Sequence, residues 1–213
     1  INQVVNVITQ LVNIAGIDAL YDLKLDQFGL APRGENESLA DYLQRCLPHL
    51  LNSNTTDTAF YDLSAPGAAL INGQAETSDE VYYFSWANES TTRGWLSGTY
   101  YPQFGTNPLL VPFTTFMGRY TDGSTDVEIT PAWWENDGIT STRSMSAPLN
   151  NSTDAMVEYT GTVHKGVWNY MGKRHGYDHW DMVGILDLKH SPARNDIIPF
   201  YENVAQFLAS TPE

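Results

Sequence analysis

The sequence predicts an α/β layered fold whose sheet is incomplete. Three observations carry this reading: amphipathic helices recur along the chain, only a few short strands are interleaved with them, and the chain opens on a long apolar helix with almost no charge. So few strands make a poor sheet by themselves, and a long apolar helix ahead of them is what the second half of a larger α/β domain looks like. The 213 residues are 42% hydrophobic and 12% aromatic, enough for one sizeable core. No repeat or low-complexity linker divides them.

The elements follow in order. Residues 1–20 place Val4, Val5, Ile8, Leu11, Val12 and Ala15 on one helical face. The turn-rich loop "YDLKLDQFGLAPRGENES" follows, and then an amphipathic helix from about Leu39 to Leu51. Cys46 stands at helical spacing with Leu43, Leu47 and Leu50 and reads as a small core residue; as the only cysteine it leaves no internal disulfide. A helix is expected to begin in "TTDTAFYDLS", where Thr55, Thr56 and Asp57 offer side-chain oxygens for an N-cap, and another lies in "SAPGAALINGQ". "EVYYFSWA" is the clearest strand, with "MVEYTGTVH" and "DMVGIL" as weaker candidates. The closing "DIIPFYENVAQFLAS" carries a helical stripe of Ile198, Tyr201, Val204, Phe207 and Leu208.

Charge and composition narrow the function. A net charge of -14 with only 11 Lys+Arg argues against a nucleic-acid partner, which needs clustered cations. No apolar run approaches the roughly 20 residues that span a bilayer. Asn-x-Ser/Thr sequons stand at Asn36, Asn54, Asn88, Asn150 and Asn151, and with the acidity they predict a secreted eukaryotic glycoprotein. Ile1 takes the place of an initiator methionine and reads as an end made by processing or cloning.

Of the histidines, His49 sits in the Leu-rich helix as a structural residue, and His164 and His190 lie in polar, solvent-facing surroundings. His175 and His179 remain, in "KRHGYDHWDMVGIL". Two histidines four apart on a helix bind zinc, but Gly176 breaks that helix and the glutamate of the metalloprotease motif is missing. His175 and His179 can also be plain loop histidines, and an aspartate in an Asn-Asp-Gly turn, such as Asp137 in "ENDGITSTRSM", is most often structural. Taken together, an acid followed by a histidine near the chain end is the α/β-hydrolase order. That order begins with a serine in Gly-x-Ser-x-Gly. The pattern is absent, and neither Ser97 in "GWLSGT" nor Ser64 in "DLSAPG" has the glycine spacing of a nucleophile.

Seven strings, "YDLKLDQFGL", "TDTAFYDLSAPGA", "VYYFSWA", "RGWLSGTYYPQFG", "ENDGITSTRSM", "GVWNYMG" and "DHWDMVG", run in order through nearly the whole chain. In them the chain resembles the thermoalkalophilic and staphylococcal group of bacterial lipases, which are α/β hydrolases. The resemblance implies that Asp137 is the triad acid and His179 the triad histidine. It also places the chain in the C-terminal half of such an enzyme: residues 1–20 correspond to the tail of a lid helix, and residues 21–213 to the C-terminal part of one α/β-hydrolase domain. The serine, the oxyanion-hole donors and the first strands then belong to an N-terminal segment outside this chain.

The resemblance implies metal ligands as well. Asp57 matches one ligand of the family's structural zinc, whose other ligands lie upstream, so zinc needs the missing half. Calcium is implied at Gly105, Asp181 and Asp187, hard oxygen donors that suit it. Here Asp181 is shorter than the family's glutamate, and "ILDLKH" replaces an Asp-Pro and displaces Asp187 by one position.

The expected function is a secreted lipase or carboxylesterase half carrying acid and histidine. Its partners are a separate N-terminal chain that bears the serine, produced by cutting one precursor near Ile1, and an ester or lipid surface. The alternatives are a non-catalytic lipid- or partner-binding fragment with a relic Asp/His dyad, and an intact hydrolase whose serine the sequence does not reveal.

Overall fold

A computed structural model describes residues 25–52, 59–123, 127–184 and 196–212. The opening helix of residues 1–20, the expected N-cap at Thr55–Asp57, the Asn54 sequon, Asp187 and His190 lie outside them. The chain divides into two compact units, residues 1–63 and 64–213.

In the first unit, helix α1 (Leu39–Asn52) follows the predicted bounds closely. Ser38 starts it: its Oγ accepts from the Asp41 N–H at 3.0 Å and donates to the Asp41 carboxylate at 2.8 Å, so the first turn caps itself. Leu39, Tyr42, Leu43, Cys46 and Leu47 are buried together, with Leu25, Phe28 and Leu30 against them. Cys46 is therefore the small core residue its spacing predicts. Burial pushes its thiol pKa up. His49 faces outward instead of supporting the core. The short helix α2 spans Ala59–Asp62.

The second unit opens with α3 (Ala65–Asn72), N-capped by Ser64, whose Oγ accepts from Gly67 N. Its sheet has three parallel strands in the order β1 (Tyr83–Glu89), β5 (Trp168–His175), β4 (Met156–Glu158). The architecture is thus α/β, and β1 is paired on one side only among the described residues. A hairpin of β2 (Thr91–Arg93) and β3 (Tyr100–Pro102) and the short helix α4 (Val111–Met117) stand between β1 and the "ENDGI" turn. None of the described helices is long and apolar enough to cross a membrane.

The central strand β5 is absent from the sequence expectations, because Gly172 interrupts it at φ 99° and Lys173 and Arg174 follow. Backbone pairing on both sides, rather than residue preference, holds it extended. Asn169, fully buried in it, donates to Tyr83 O at 3.0 Å and His164 O at 2.8 Å. Of the weaker candidates, "MVEYTGTVH" yields only β4. In "DMVGIL", residues 181–184 form turns, since a hydrogen bond from Val183 N to Trp180 O curls the chain.

Helix α5 (Ile197–Ala209) packs on the sheet through Phe200 and Phe207, seven residues and two turns apart. Phe207 meets Phe84 and Tyr159 edge-on, and Phe200 meets Trp86 at 90°. The Arg174 guanidinium fills the gap between Tyr177 and Phe200 and ion-pairs with Asp196 at 2.8 Å. Of the expected stripe Phe207 thus meets the sheet, whereas Ile198 is 70% exposed and Tyr201 and Leu208 also face outward. Asn88 is buried in β1, which rules out a glycan there, whereas Asn36 and Asn151 are exposed.

Candidate active site

The "ENDGI" stretch is a turn built by its own side chains. Asp137 Oδ1 accepts from Ile139 N at 3.0 Å and Thr140 N at 2.8 Å, and Asn136 Oδ1 accepts from Gly138 N at 2.9 Å. Gly138 has φ 98°, and a Cβ on it would come within 2.9 Å of the Leu110 Cβ, so only glycine fits. The hydroxylated run that follows anchors the turn: Ser141 Oγ donates to Trp133 O at 2.9 Å, and Thr142 Oγ1 to Asn88 O of β1 at 2.7 Å. Lys173 of β5 adds an ion pair to Glu135 at 2.6 Å.

One carboxylate oxygen of Asp137 is thereby committed to backbone N–H groups. The other, Oδ2, lies 2.9 Å from Nδ1 of His179. The contact joins residues 42 apart in sequence. Asp137 is only 1% exposed. The backbone closes the same gap, with His179 N donating to Asp137 O at 2.9 Å. Since a carboxylate only accepts, Nδ1 carries the proton and Nε2 of neutral His179 keeps its lone pair. The His179 side chain is 42% exposed, and no described side chain is hydrogen-bonded to Nε2. The hydrogen bond from Asp137 raises the imidazole pKa above its ordinary value, burial opposes this, and the charges of Asp137 and Asp178 add to it.

Asp178 holds the histidine loop. Its Oδ1 accepts from Trp180 N and Asp181 N, its Oδ2 from Asn107 N at 2.7 Å, and its own N–H donates to Asp181 Oδ2 at 2.9 Å. Burial raises its carboxyl pKa, these N–H groups lower it, and the nearby Asp137 charge adds to the rise. No local signal in the sequence marks Asp178, because its partner Asn107 is 71 residues away.

The other predicted residues are placed differently. Ser64 is a helix cap, and Ser97 bonds Thr99 and Tyr101 in an exposed turn. His175 is not a free loop residue: it ends β5 with Nδ1 2.6 Å from the buried Glu89 carboxylate. Of the calcium set, Asp181 is buried with one oxygen bound to Asp178 N, and Gly105 sits at φ 108°. Among the described residues, no three His, Cys, Asp or Glu side chains gather around a possible metal position.

Comparison with known proteins agrees with the string of motifs. The family model described as "Lipase-like, C-terminal domain" matches residues 1–212. The lipase of Staphylococcus hyicus is 30% identical over 190 residues, which are 88% of this chain and 27% of that protein. Among solved structures, EstA from Clostridium botulinum has a TM-score of 0.75 at 36% identity, over 90% of this chain and 43% of that one. Lipase 1 from Pelosinus fermentans also has a TM-score of 0.75, at 32% identity, over 98% of this chain and 54% of that one. The chain thus spans about a quarter of the length of the staphylococcal lipase and about half of each solved relative. These relatives are bacterial, so the eukaryotic origin inferred from sequons finds no counterpart among them. With the motifs, the fold and these matches in agreement, the chain belongs to the lipase-like C-terminal domain family.

Proposed function

We propose that this chain supplies the acid and histidine of a serine carboxylic-ester hydrolase acting on lipid esters, with the nucleophilic serine on an N-terminal segment outside these 213 residues. The observation that carries the reading is the Asp137–His179 hydrogen bond, which occupies Nδ1 of a partly exposed ring and leaves Nε2 without a hydrogen-bonded side chain among the described residues. In the reaction, His179 Nε2 takes the serine proton as the serine oxygen attacks the ester carbonyl. Asp137 fixes the tautomer and stabilises the imidazolium. The imidazolium then gives its proton to the departing alkoxide, leaving an acyl-enzyme that water hydrolyses by the same route.

The missing segment has three further supports. No Gly-x-Ser-x-Gly occurs in the chain. Among the described residues β1 is paired along one edge only. Next to it, the buried Asn88 Oδ1 and Ser90 Oγ have no hydrogen-bond partner among the described residues, though buried polar atoms are ordinarily satisfied. An ester or lipid surface as partner is supported by Trp95 and Leu96, which stand out into solvent between β2 and β3. Secretion belongs to the same reading, supported by the acidic composition and the exposed sequons.

A fluorophosphonate probe on the native protein tests this. The labelled peptide is expected to lie outside the 213 residues and to contain Gly-x-Ser-x-Gly, and migration on a separate chain marks a cut precursor. Label on a serine of this chain overturns the reading, and no label at all favours the alternative of a relic dyad in a non-catalytic binding fragment.

Calcium is part of the proposal, held by Gly105, Asp181 and Asp187 so as to pin the histidine loop; zinc at Asp57 requires ligands from the N-terminal segment. The support is the hard oxygen donors of the set, of which Asp181 is buried two residues after His179. Calcium-loaded protein is expected to melt at a lower temperature once chelator is added, because binding to the native state alone stabilises it. An unchanged melting temperature counts against the site.

A further inference from the structure

We propose that Glu89 is a positioning residue which, braced from outside by His175, holds the acid and histidine loops at their working separation. The proposal rests on the reading of Asp137 and His179 as a catalytic pair. Glu89 ends β1, and its carboxylate is buried. Its Oε1 lies 2.6 Å from His175 Nδ1, Gln103 Nε2 lies 3.2 Å from both oxygens, and Oε2 accepts from Thr91 N at 3.0 Å. A carboxylate has no proton to give, so His175 points its own Nδ1–H inward. His175 is 71% exposed yet fixed at its inner edge.

The backbone around this carboxylate touches every segment that builds the dyad. Glu89 O accepts from Gly176 N at 2.8 Å and Tyr177 N at 3.1 Å, the residues that lead into His179. Ser90 N donates to Asn136 O at 3.0 Å, one residue before Asp137. Ser90 O accepts from Gln103 N at 2.8 Å and Thr106 Oγ1 at 3.1 Å, and the adjacent Asn107 N holds Asp178. The acid loop, the histidine loop and the 103–107 loop therefore meet at two residues. The Glu89 side chain adds its own links, to His175 where β5 runs into the histidine loop, to Gln103 of the 103–107 loop, and through Thr91 Oγ1 to Asn136 N of the acid turn. Networks of this kind act as units, because removing one member leaves its buried partners unsatisfied.

The isosteric Glu89→Gln replaces one acceptor oxygen with an N–H₂ that faces donors. In the full-length enzyme, with a soluble short-chain ester, kcat is expected to fall about 10- to 100-fold, the scale of an ångström of misplacement at a catalytic group, while KM changes by less than about twofold. The downfield proton resonance of His179 Nδ1–H is expected to shift or broaden. His175→Ala, at an exposed ring, is expected to lower kcat several-fold in the same sense. A folded Glu89→Gln enzyme with normal kcat, or with lowered kcat and an unaltered His179 resonance, overturns the proposal. If Glu89→Gln does not fold, an unchanged kcat in His175→Ala overturns it. His179→Ala is measured alongside: if it is inactive while the brace variants are normal, only the brace fails, and if it retains activity, the catalytic reading and the brace fall together.

Discussion

Replacing His179 with alanine in the full-length enzyme is expected to lower ester hydrolysis by about four orders of magnitude or more. Among the described residues no other side chain is hydrogen-bonded to the Asp137 carboxylate. The fold is expected to survive, because the loop does not depend on the ring: His179 N still reaches Asp137 O, and Asp178 still binds Asn107, Trp180 and Asp181. The measurement is kcat on a soluble ester together with a thermal melt. Near-normal turnover in a folded variant removes His179 from the mechanism.

Asp137→Asn is expected to cost about 10⁴-fold in kcat at neutral pH, for a reason the turn itself supplies. Ile139 N and Thr140 N both donate to Oδ1, so an asparagine must keep its oxygen there. Its N–H₂ then takes the place of Oδ2 and faces His179 Nδ1 as a donor. The imidazole answers by moving its proton to Nε2, the wrong atom for a base. The pH dependence moves too. Asp137 is the main cause of the raised His179 pKa, so wild-type activity is expected to decline on the acid side at a higher pH than an ordinary imidazole dictates. In Asp137→Asn that limb moves to lower pH. For stability the sign is opposite: a raised folded pKa means the charged pair stabilises fully below the ordinary imidazole value and ceases to do so as pH rises through the raised one. A pH–rate profile with the same acid limb in both proteins is evidence against the coupling.

What could be read from sequence followed from local signals. α1 carries helical periodicity, α3 a serine cap followed by proline in its first turn, and β1 is a bounded run of aromatic and β-favouring residues, so each is legible. β5 is not, since Gly172, Lys173 and Arg174 interrupt the signal of Trp168 and Tyr170 and its extended shape comes from neighbours on both sides. Of the α5 stripe Phe207 meets the sheet, but periodicity alone does not say which of two adjacent apolar faces turns inward, and Phe200, outside the stripe, packs there too. Asp137 and His179 were singled out by their order and by resemblance to lipases. The Glu89–His175 pair gave no signal at all, as its members are 86 residues apart and each looks ordinary alone.

That separation has a kinetic meaning. β1 and β5 are parallel neighbours, so β1 has no described strand to pair with until the chain beyond His175 has been made. Between them the ribosome delivers the hairpin, α4 and the acid turn, all of which must remain soluble while the ends of a long loop find each other. Pairings of such high contact order close slowly, because the entropy of the loop is lost before any ladder bond forms. The Asp137–His179 contact, between residues 42 apart, likewise waits until the histidine loop has been made. Catalytic geometry is therefore expected to form after β5 is made, and until then the edge of β1 that β5 covers stays open.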